Sequence, residues 1–361
     1  MTLVVVLLLG GLGLLIVGAE ALVRGAARLA TAWGVSPLLV GLTVVAWGTS
    51  APEFVVSVMA ALNGQPDIAV GNVVGSNIFN VLFILGTSAA VTPLVVSRPL
   101  VAVQVPILVV VSLLTWGLVW DQRLSRLDGL LLILGAFAYT VFAIRTESAP
   151  ATEELGTTAR RWHESPWYNA VLVVCGLVFL AVGSRWFVRG AVELARWLGV
   201  SELVIGLTVV AGGTSLPELA TSVVAALRGQ RDISVGNVVG SNLFNLLLVL
   251  GGAALVSSTG IRVASAALHF DMPVMVAVTV ACLPVFFTGH KIARWEGWLF
   301  LGYGFVYWAY LLAASAEHDA LPMFNRVMIV FVLPLTAVTL LVSVARQLQW
   351  GRGQSGPGAG A

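Results

Sequence analysis

Two glutamates, Glu53 and Glu218, each stand in the middle of a long apolar segment, a costly place for a charge that serves no purpose. Thr49 and Glu53 are four residues apart, so on a helix their oxygens stack on one face, with Ser50 at its edge. Thr214, Ser215 and Glu218 repeat that spacing. In the apolar segment that follows each glutamate, Asn72, Ser76 and Asn80 share a helix face at intervals of four, and Asn237, Ser241 and Asn245 match them. The set is carboxylates, amides and hydroxyls. No His/Cys cluster accompanies it, which argues against Zn²⁺, Cu⁺ and Fe–S and for a hard cation. One Ca²⁺ or two Na⁺ would neutralise both glutamates. A site that must not sit empty and doubly charged suits obligatory exchange. An intramembrane enzyme would need a nucleophile with its base, or a metal with histidines, and the apolar segments hold no such pairing.

The elements that would hold these side chains are legible in the local chemistry. Ser36-Pro37 is a helix start, serine capping and proline in the first turn, which puts Glu53 about 16 residues, or about 24 Å, along the helix. Pro52 lacks an amide hydrogen and crowds the carbonyl of Gly48, so the helix is predicted to break near Gly48-Thr49-Ser50 and free carbonyl oxygens. Pro217 and Gly213 repeat the arrangement. Broken backbone at that depth is tolerated where it lines a cavity or is covered by protein. Asp67 and Asp232 open the next segments and read as helix caps, not ligands. Gly71-x-x-x-Gly75 and Gly236-x-x-x-Gly240 read as close-packing motifs. His269 and Asp271 read as helix-end residues without acidic or basic counterparts, the positions 165 residues earlier being Gln104 and Pro106.

Composition sets the class. With 58% hydrophobic and 10% charged residues and a mean hydropathy of +0.97, the chain is expected to be an all-α polytopic membrane protein. Spans are predicted near 2–23, 36–62, 67–92, 99–120 and 127–145, and then near 168–189, 201–228, 232–257, 266–288 and 293–313. An eleventh, 323–345, has no partner in the first half. Residues 146–167 form the one long hydrophilic stretch and read as a cytoplasmic linker. No basic cluster is dense enough to hold nucleic acid. Cys175 and Cys282 fall in apolar runs and read as unpaired.

The chain repeats itself. Residues 41–86 and 206–251 align without a gap, 33 of 46 positions identical, and the offset of 165 extends back to Gly11 and Gly176. This divides the chain into residues 1–145 and 168–313. Five crossings separate equivalent points, so the copies are expected to enter the membrane from opposite sides as an inverted repeat. An N-terminus outside and a C-terminus inside would put twelve of the nineteen Lys and Arg residues on the cytoplasmic face, so that orientation is expected.

The segments GTSAPE (48–53), GNVVGSNIFN (71–80), GTSLPE (213–218) and GNVVGSNLFN (236–245) resemble the two alpha-repeats of the calcium:cation antiporter family, specifically its sodium/calcium exchangers. The resemblance implies an antiporter, not an enzyme, exchanging Na⁺ for Ca²⁺ across the inner, plasma membrane with no cofactor. Its ion ligands would be Glu53, Thr49, Ser50, Ser76, Asn80 and the Ala46 carbonyl, with Glu218, Thr214, Ser215, Ser241, Asn245 and the Ala211 carbonyl. Proton- or potassium-coupled Ca²⁺ antiport is the alternative, and a cation channel a more distant one. Asn245 stands where some microbial members carry Asp. The resemblance further implies that the first and sixth spans slide over the remaining eight, their glycines Gly11, Gly13, Gly18, Gly176 and Gly183 allowing close contact.

Overall fold

The computed structural model describes residues 2–147, 165–200, 205 and 211–315, together with positions 337 and 341. Most of the expected linker and of the eleventh span lies outside the described residues. Helix α1 is Thr2–Trp33. Its 32 residues, about 48 Å at 1.5 Å per residue, exceed a hydrocarbon core of about 30 Å. The expected end at residue 23 is therefore corrected by ten residues. Arg24 closes the apolar run but not the helix, because it pairs with Glu20 one turn back and arginine stems run along apolar surface to reach the interface.

The next span begins and breaks where its sequence places both events. The Ser36 hydroxyl accepts the Leu39 amide at 3.0 Å with Pro37 beside it in the first turn. Helix α2 (Pro37–Thr49) ends at Ser50, whose backbone (φ −82°, ψ 6°) leaves the helical region, and α3 (Ala51–Leu62) departs at 46°. Pro52 sits in the first turn of α3, where its missing amide costs nothing. There follow α4 (Pro66–Val91), β1 (Leu94–Val95), α5 (Leu100–Leu118), β2 (Arg123–Leu124) and α6 (Arg126–Glu147).

The second half reproduces the order with α7 (Pro166–Trp197), a short turn at Ala211–Gly213, α8 (Leu216–Leu227), α9 (Arg231–Val256), β3 (Ile261–Arg262), α10 (Ala267–His290), β4 (Lys291–Ile292) and α11 (Arg294–Ser315). Like α1, α7 outruns its expected range. Among the described residues eight helices are long and apolar enough to cross a bilayer, and the bent α2–α3 pair makes a ninth. The expectation of an all-α chain needs one amendment. Two two-residue antiparallel ladders, β1 with β4 and β2 with β3, tie the loops of one half to those of the other.

Element positions also correct the repeat offset. It is 165 as far as Val91 and Val256, but two residues, then a third, are added in the second half. Thus β3 follows β1 by 167 residues and α11 follows α6 by 168. The counterpart of Asp271 is then Gln104, not Pro106, and the contacts agree. Tyr307 donates to Asp271 Oδ1 at 2.9 Å, as Tyr139 donates to Gln104 at 3.0 Å. Among the described residues His269 bonds to Ser265, one turn back, as a helix-end residue should.

Helices α1 and α7 pack along a glycine seam. A Cβ built on Gly11 would meet the Gly183 carbonyl oxygen at 2.8 Å, on Gly18 that of Gly176 at 2.9 Å, and on Gly25 that of Asn169 at 2.8 Å. Each seven-residue step up α1 matches a seven-residue step down α7, so the two helices run antiparallel with a heptad register. Gly13 is no part of this seam: among the described residues nothing lies within 4 Å of a Cβ built there. Gly236 and Gly240 are packing glycines, with built Cβ atoms 3.1 Å from Leu38 O and 2.6 Å from Leu42 O. The corresponding partners for Gly71 and Gly75 would lie mostly in 201–210, largely outside the described residues.

At the centre stand α4 and α9, whose membrane windows are 72% and 89% buried, against 22–44% for the other long helices. Helices this enclosed cannot serve merely as a lipid-facing wall. They carry the asparagines and serines identified from the sequence.

Candidate functional site

Four elements converge on the two glutamates. The bends at Ser50 and Ser215 (φ −89°, ψ 10°) turn the first residues of α3 and α8 toward α4 and α9, and both carboxylates are wholly enclosed. Asp67 and Asp232 lie in the first turns of α4 and α9, where they complement the helix dipole, but the cap positions belong to Gln65 and Gln230, so neither aspartate is the cap expected of it.

The two halves interlock through reciprocal bonds. Ser50 donates to Glu218 Oε1 at 3.0 Å, and Ser215 donates to Glu53 Oε1 at 3.0 Å. Thr49 Oγ1 lies 3.1 Å from Asn237 Oδ1 and Thr214 Oγ1 lies 3.4 Å from Asn72 Oδ1. The Asn72 amide in turn donates to Ser57 Oγ and to the Glu53 carbonyl, and the Asn237 amide to Ser222 Oγ and the Glu218 carbonyl. Asn72 and Asn237 thereby have both ends of their side chains engaged. They tie the glutamate-bearing helices to α4 and α9 and, unlike Asn80 and Asn245, each has a threonine hydroxyl within reach of its carbonyl oxygen.

Asn80 and Asn245 are arranged differently. Their amide nitrogens donate across the interface, Asn80 to Asn242 Oδ1 at 2.9 Å and Asn245 to Asn77 Oδ1 at 3.1 Å. The carbonyl oxygen of each is buried and has no hydrogen-bond partner among the described residues. Each begins a widened π-helical turn, Asn80–Leu85 or Asn245–Leu250, a local distortion that recurs at functional sites. Asn77 and Asn242, which lie off the four-residue face that carries Asn72, Ser76 and Asn80, are not among the residues expected from the sequence, and neither are Ser57 and Ser222, which continue the Thr49–Glu53 and Thr214–Glu218 faces by one more turn. The 165-residue repetition of each pair is the available signal, and for Ser57 and Ser222 the spacing of four from each glutamate is a second.

The chemistry of the site lies in what has no partner. Glu53 Oε2, Glu218 Oε2, Asn80 Oδ1, Asn245 Oδ1 and Ser241 Oγ are all buried without a hydrogen bond among the described residues. Buried acceptors are otherwise almost always satisfied, and an uncompensated buried carboxylate costs several kcal/mol. No Arg or Lys pairs with either glutamate among the described residues. An oxygen cage carrying two negative charges and neutral amide and hydroxyl donors fits Na⁺ or Ca²⁺. No group of three or more His, Cys, Asp or Glu residues is placed to hold a metal among the described residues, so a cation bound here would draw its remaining oxygens from neutral amides and hydroxyls. Ser76 Oγ lies 3.3 Å from Ser215 Oγ, whose one hydrogen goes to Glu53 at the shorter distance, so the Ser76 oxygen keeps lone-pair capacity of its own.

The Ala46 carbonyl, named through resemblance, accepts the Ser50 amide at 3.0 Å and lies 3.4 Å from Thr49 Oγ1, so the break does not free it completely. Ala211 falls in the short turn before Ser215. The oxygen that proline does release in the second half is that of Gly213, and Ser184 of α7 bonds it at 2.7 Å. The equivalent of Ser184 is Ala19, which has no hydroxyl to offer Gly48. Cys175 and Cys282 are both free thiols and take no part.

A family model described as sodium/calcium exchanger protein matches residues 3–145 and 168–316. The inner membrane protein YrbG of Escherichia coli is 36% identical over 320 residues, covering 86% of this chain and 97% of its own length. The sodium/calcium exchanger MaX1 of Methanosarcina acetivorans is 31% identical over 328 residues, covering 81% and 93%. Among solved structures, one of the sodium-calcium exchanger NCX_Mj superimposes with a TM-score of 0.73 at 32% identity, over 87% of this chain and 98% of that one.

Proposed function

The chain belongs to the sodium/calcium exchanger family, a family of membrane transporters, and on that premise we propose that it exchanges Na⁺ for Ca²⁺ by alternating access. The observation that carries the reading is the paired, unpartnered oxygen set: Glu53 and Glu218 with Asn80, Asn245 and Ser241, supported by Thr49, Thr214, Ser50, Ser215 and Ser76. Two carboxylates balance one Ca²⁺ or two Na⁺, so either cargo leaves the buried cage neutral, and return without cargo carries two uncompensated charges. That electrostatic penalty makes exchange obligatory. The Ala46 and Ala211 carbonyls belong to the same cage.

The architecture proposed is two inverted five-span repeats, 1–145 and 168–313, joined by a linker over 146–167 and followed by an extra span over 323–345. The antiparallel run of α1 and α7, which occupy equivalent places in the two repeats, supports inversion. The glycine seam holds α1 and α7 together at backbone distance, so the pair can move as one unit over the buried helices that carry the site and open it to each face in turn. The N-terminus lies outside and the C-terminus in the cytoplasm, in the inner membrane of a prokaryotic cell. No cofactor is required for such a cycle.

The deciding experiment is ⁴⁵Ca²⁺ uptake into proteoliposomes under imposed Na⁺, K⁺, Li⁺ or H⁺ gradients. Uptake driven by an outward Na⁺ gradient alone is expected. Uptake that follows only a proton gradient, or that requires K⁺ beside Na⁺, would replace the coupling ion.

A further inference from the structure

Away from the buried cage, one end of the α1–α7 pair holds a second charged structure. A cavity of about 520 Å³ lies where α1, the start of α7 and the end of α8 meet, and Arg24, Arg28, Arg228 and Glu20 converge on it. Glu20 pairs with both Arg24 and Arg228, the latter at 2.9 Å. Arg28 has no acidic partner among the described residues. Among the described residues, three guanidinium groups stand against one carboxylate and leave two positive charges uncompensated. We propose that this cavity binds the headgroup of an anionic phospholipid, with the phosphate held by the arginines and an acyl chain laid along α1.

The geometry favours a lipid over a free anion. Ile16 and Val17 line the same cavity, each 53% exposed, and they stand on α1 about two turns nearer mid-membrane than Arg24. The wall therefore grades from apolar to cationic in the direction in which a phospholipid grades from chain to phosphate. Arg28 and Arg24 are spaced one turn apart, and guanidinium forks match phosphate oxygens in pairs. Tyr168, near the start of α7, lines the cavity as well. The exposed Trp33 and Trp167 lie at this same end, where indoles mark the membrane–water boundary.

Repeat symmetry does not account for the cluster. The positions 165 residues after Glu20, Arg24 and Arg28 are Arg185, Arg189 and Glu193, and the position 165 before Arg228 is Asn63. The opposite end thus inverts two charges and lacks a third. A basic pocket between membrane helices is the form that recognition of acidic lipid takes. The proposal needs only that the chain spans a bilayer, so its test is independent of ion exchange.

Native mass spectrometry of the full chain in detergent, titrated with phosphatidylglycerol or phosphatidylcholine, reads the site directly. Wild type is expected to retain phosphatidylglycerol in preference, and Arg28→Gln to lower that retention about five-fold, the effect of one basic contact with an acidic lipid. Arg28→Lys should retain most of the preference, and Arg189→Gln at the other end should leave it unchanged. Equal retention of the two lipids, or no change in Arg28→Gln, overturns the proposal. Displacement of the lipid by excess inorganic phosphate also overturns it, in favour of a soluble-phosphate site. Unfolding temperatures verify that each variant is folded, and should Arg28→Gln fail that check, Arg24→Gln carries the same expectations.

Discussion

The Asn80 side chain donates its Nδ2 hydrogen to Oδ1 of Asn242, 2.9 Å away in the other half of the chain. That bond fixes which end of the Asn80 amide is left buried and unpartnered. Removing it leaves the amide free to rotate and present nitrogen where oxygen is needed. Asn242→Ala is therefore expected to weaken Ca²⁺ binding by about 10–100-fold, the range typical for loss of a group that orients a metal ligand. Asn242→Asp retains the acceptor and should hold more of the affinity. Calorimetric or ⁴⁵Ca²⁺ equilibrium binding measures both, and wild-type affinity in Asn242→Ala would remove Asn80 Oδ1 from the cage.

The glutamates themselves allow a sharper test. Glu53→Gln or Glu218→Gln preserves shape and removes one of the two charges that balance the cargo. Either should abolish Ca²⁺ flux in proteoliposomes while leaving the unfolding temperature at or above that of wild type, because a buried uncompensated charge is lost. Undiminished flux in either variant would exclude the site.

The glycine seam predicts a steric result with an internal control. A methyl group on Gly176 would lie 2.7 Å from the Leu22 amide nitrogen and 2.8 Å from the Gly18 carbonyl oxygen, both rigid backbone. Gly176→Ala is expected to force α1 and α7 apart and slow exchange at least ten-fold, a barrier increase of about 1.4 kcal/mol. Gly13→Ala should leave the rate unchanged, since no described atom stands within 4 Å of the added methyl. Initial rates of Na⁺-driven ⁴⁵Ca²⁺ uptake distinguish the two, and equal rates would mean that the seam does not govern movement.

These residues differ in how plainly the sequence declares them. Glu53 and Glu218 are legible because an acid in an apolar run has few bland explanations, and the bend at Ser50 follows from one missing amide hydrogen at Pro52. Asn77 and Asn242 are not legible by spacing, since each adjoins the serine of its ligand face and acts across the interface between halves. The length of α1 is hidden because hydropathy falls at Arg24, whereas the helix is carried on by the Glu20 pair and by packing on α7. Two residues added between α9 and β3 shift the repeat register, so the kinship of Asp271 with Gln104 emerges only from their matching tyrosine bonds. Tertiary contact, not local pattern, decides each of these.

The last prediction follows from an asymmetry between halves. Ser184 on α7 donates to the Gly213 carbonyl at 2.7 Å, tying one of the two long seam helices to the break before Glu218. In the first half Ala19 stands at the equivalent place and has no hydroxyl to offer Gly48. If α1 and α7 slide during exchange, the Ser184 bond must break in one of the two access states and persist in the other. It then biases their populations by its own free energy, about 1 kcal/mol for a buried neutral bond, or roughly five-fold in the equilibrium. Ser184→Ala is expected to shift the balance of states by that factor while leaving intrinsic Ca²⁺ affinity in the cage nearly unchanged, because Ser184 bonds to backbone outside the oxygen set. Ala19→Ser adds a candidate bond in the other half and should shift the balance in the opposite direction. Thiol accessibility of single cysteines at each mouth of the site, measured with and without Na⁺, reports the populations. If neither substitution moves accessibility, the Ser184 bond survives both states, and α7 does not slide past Gly213.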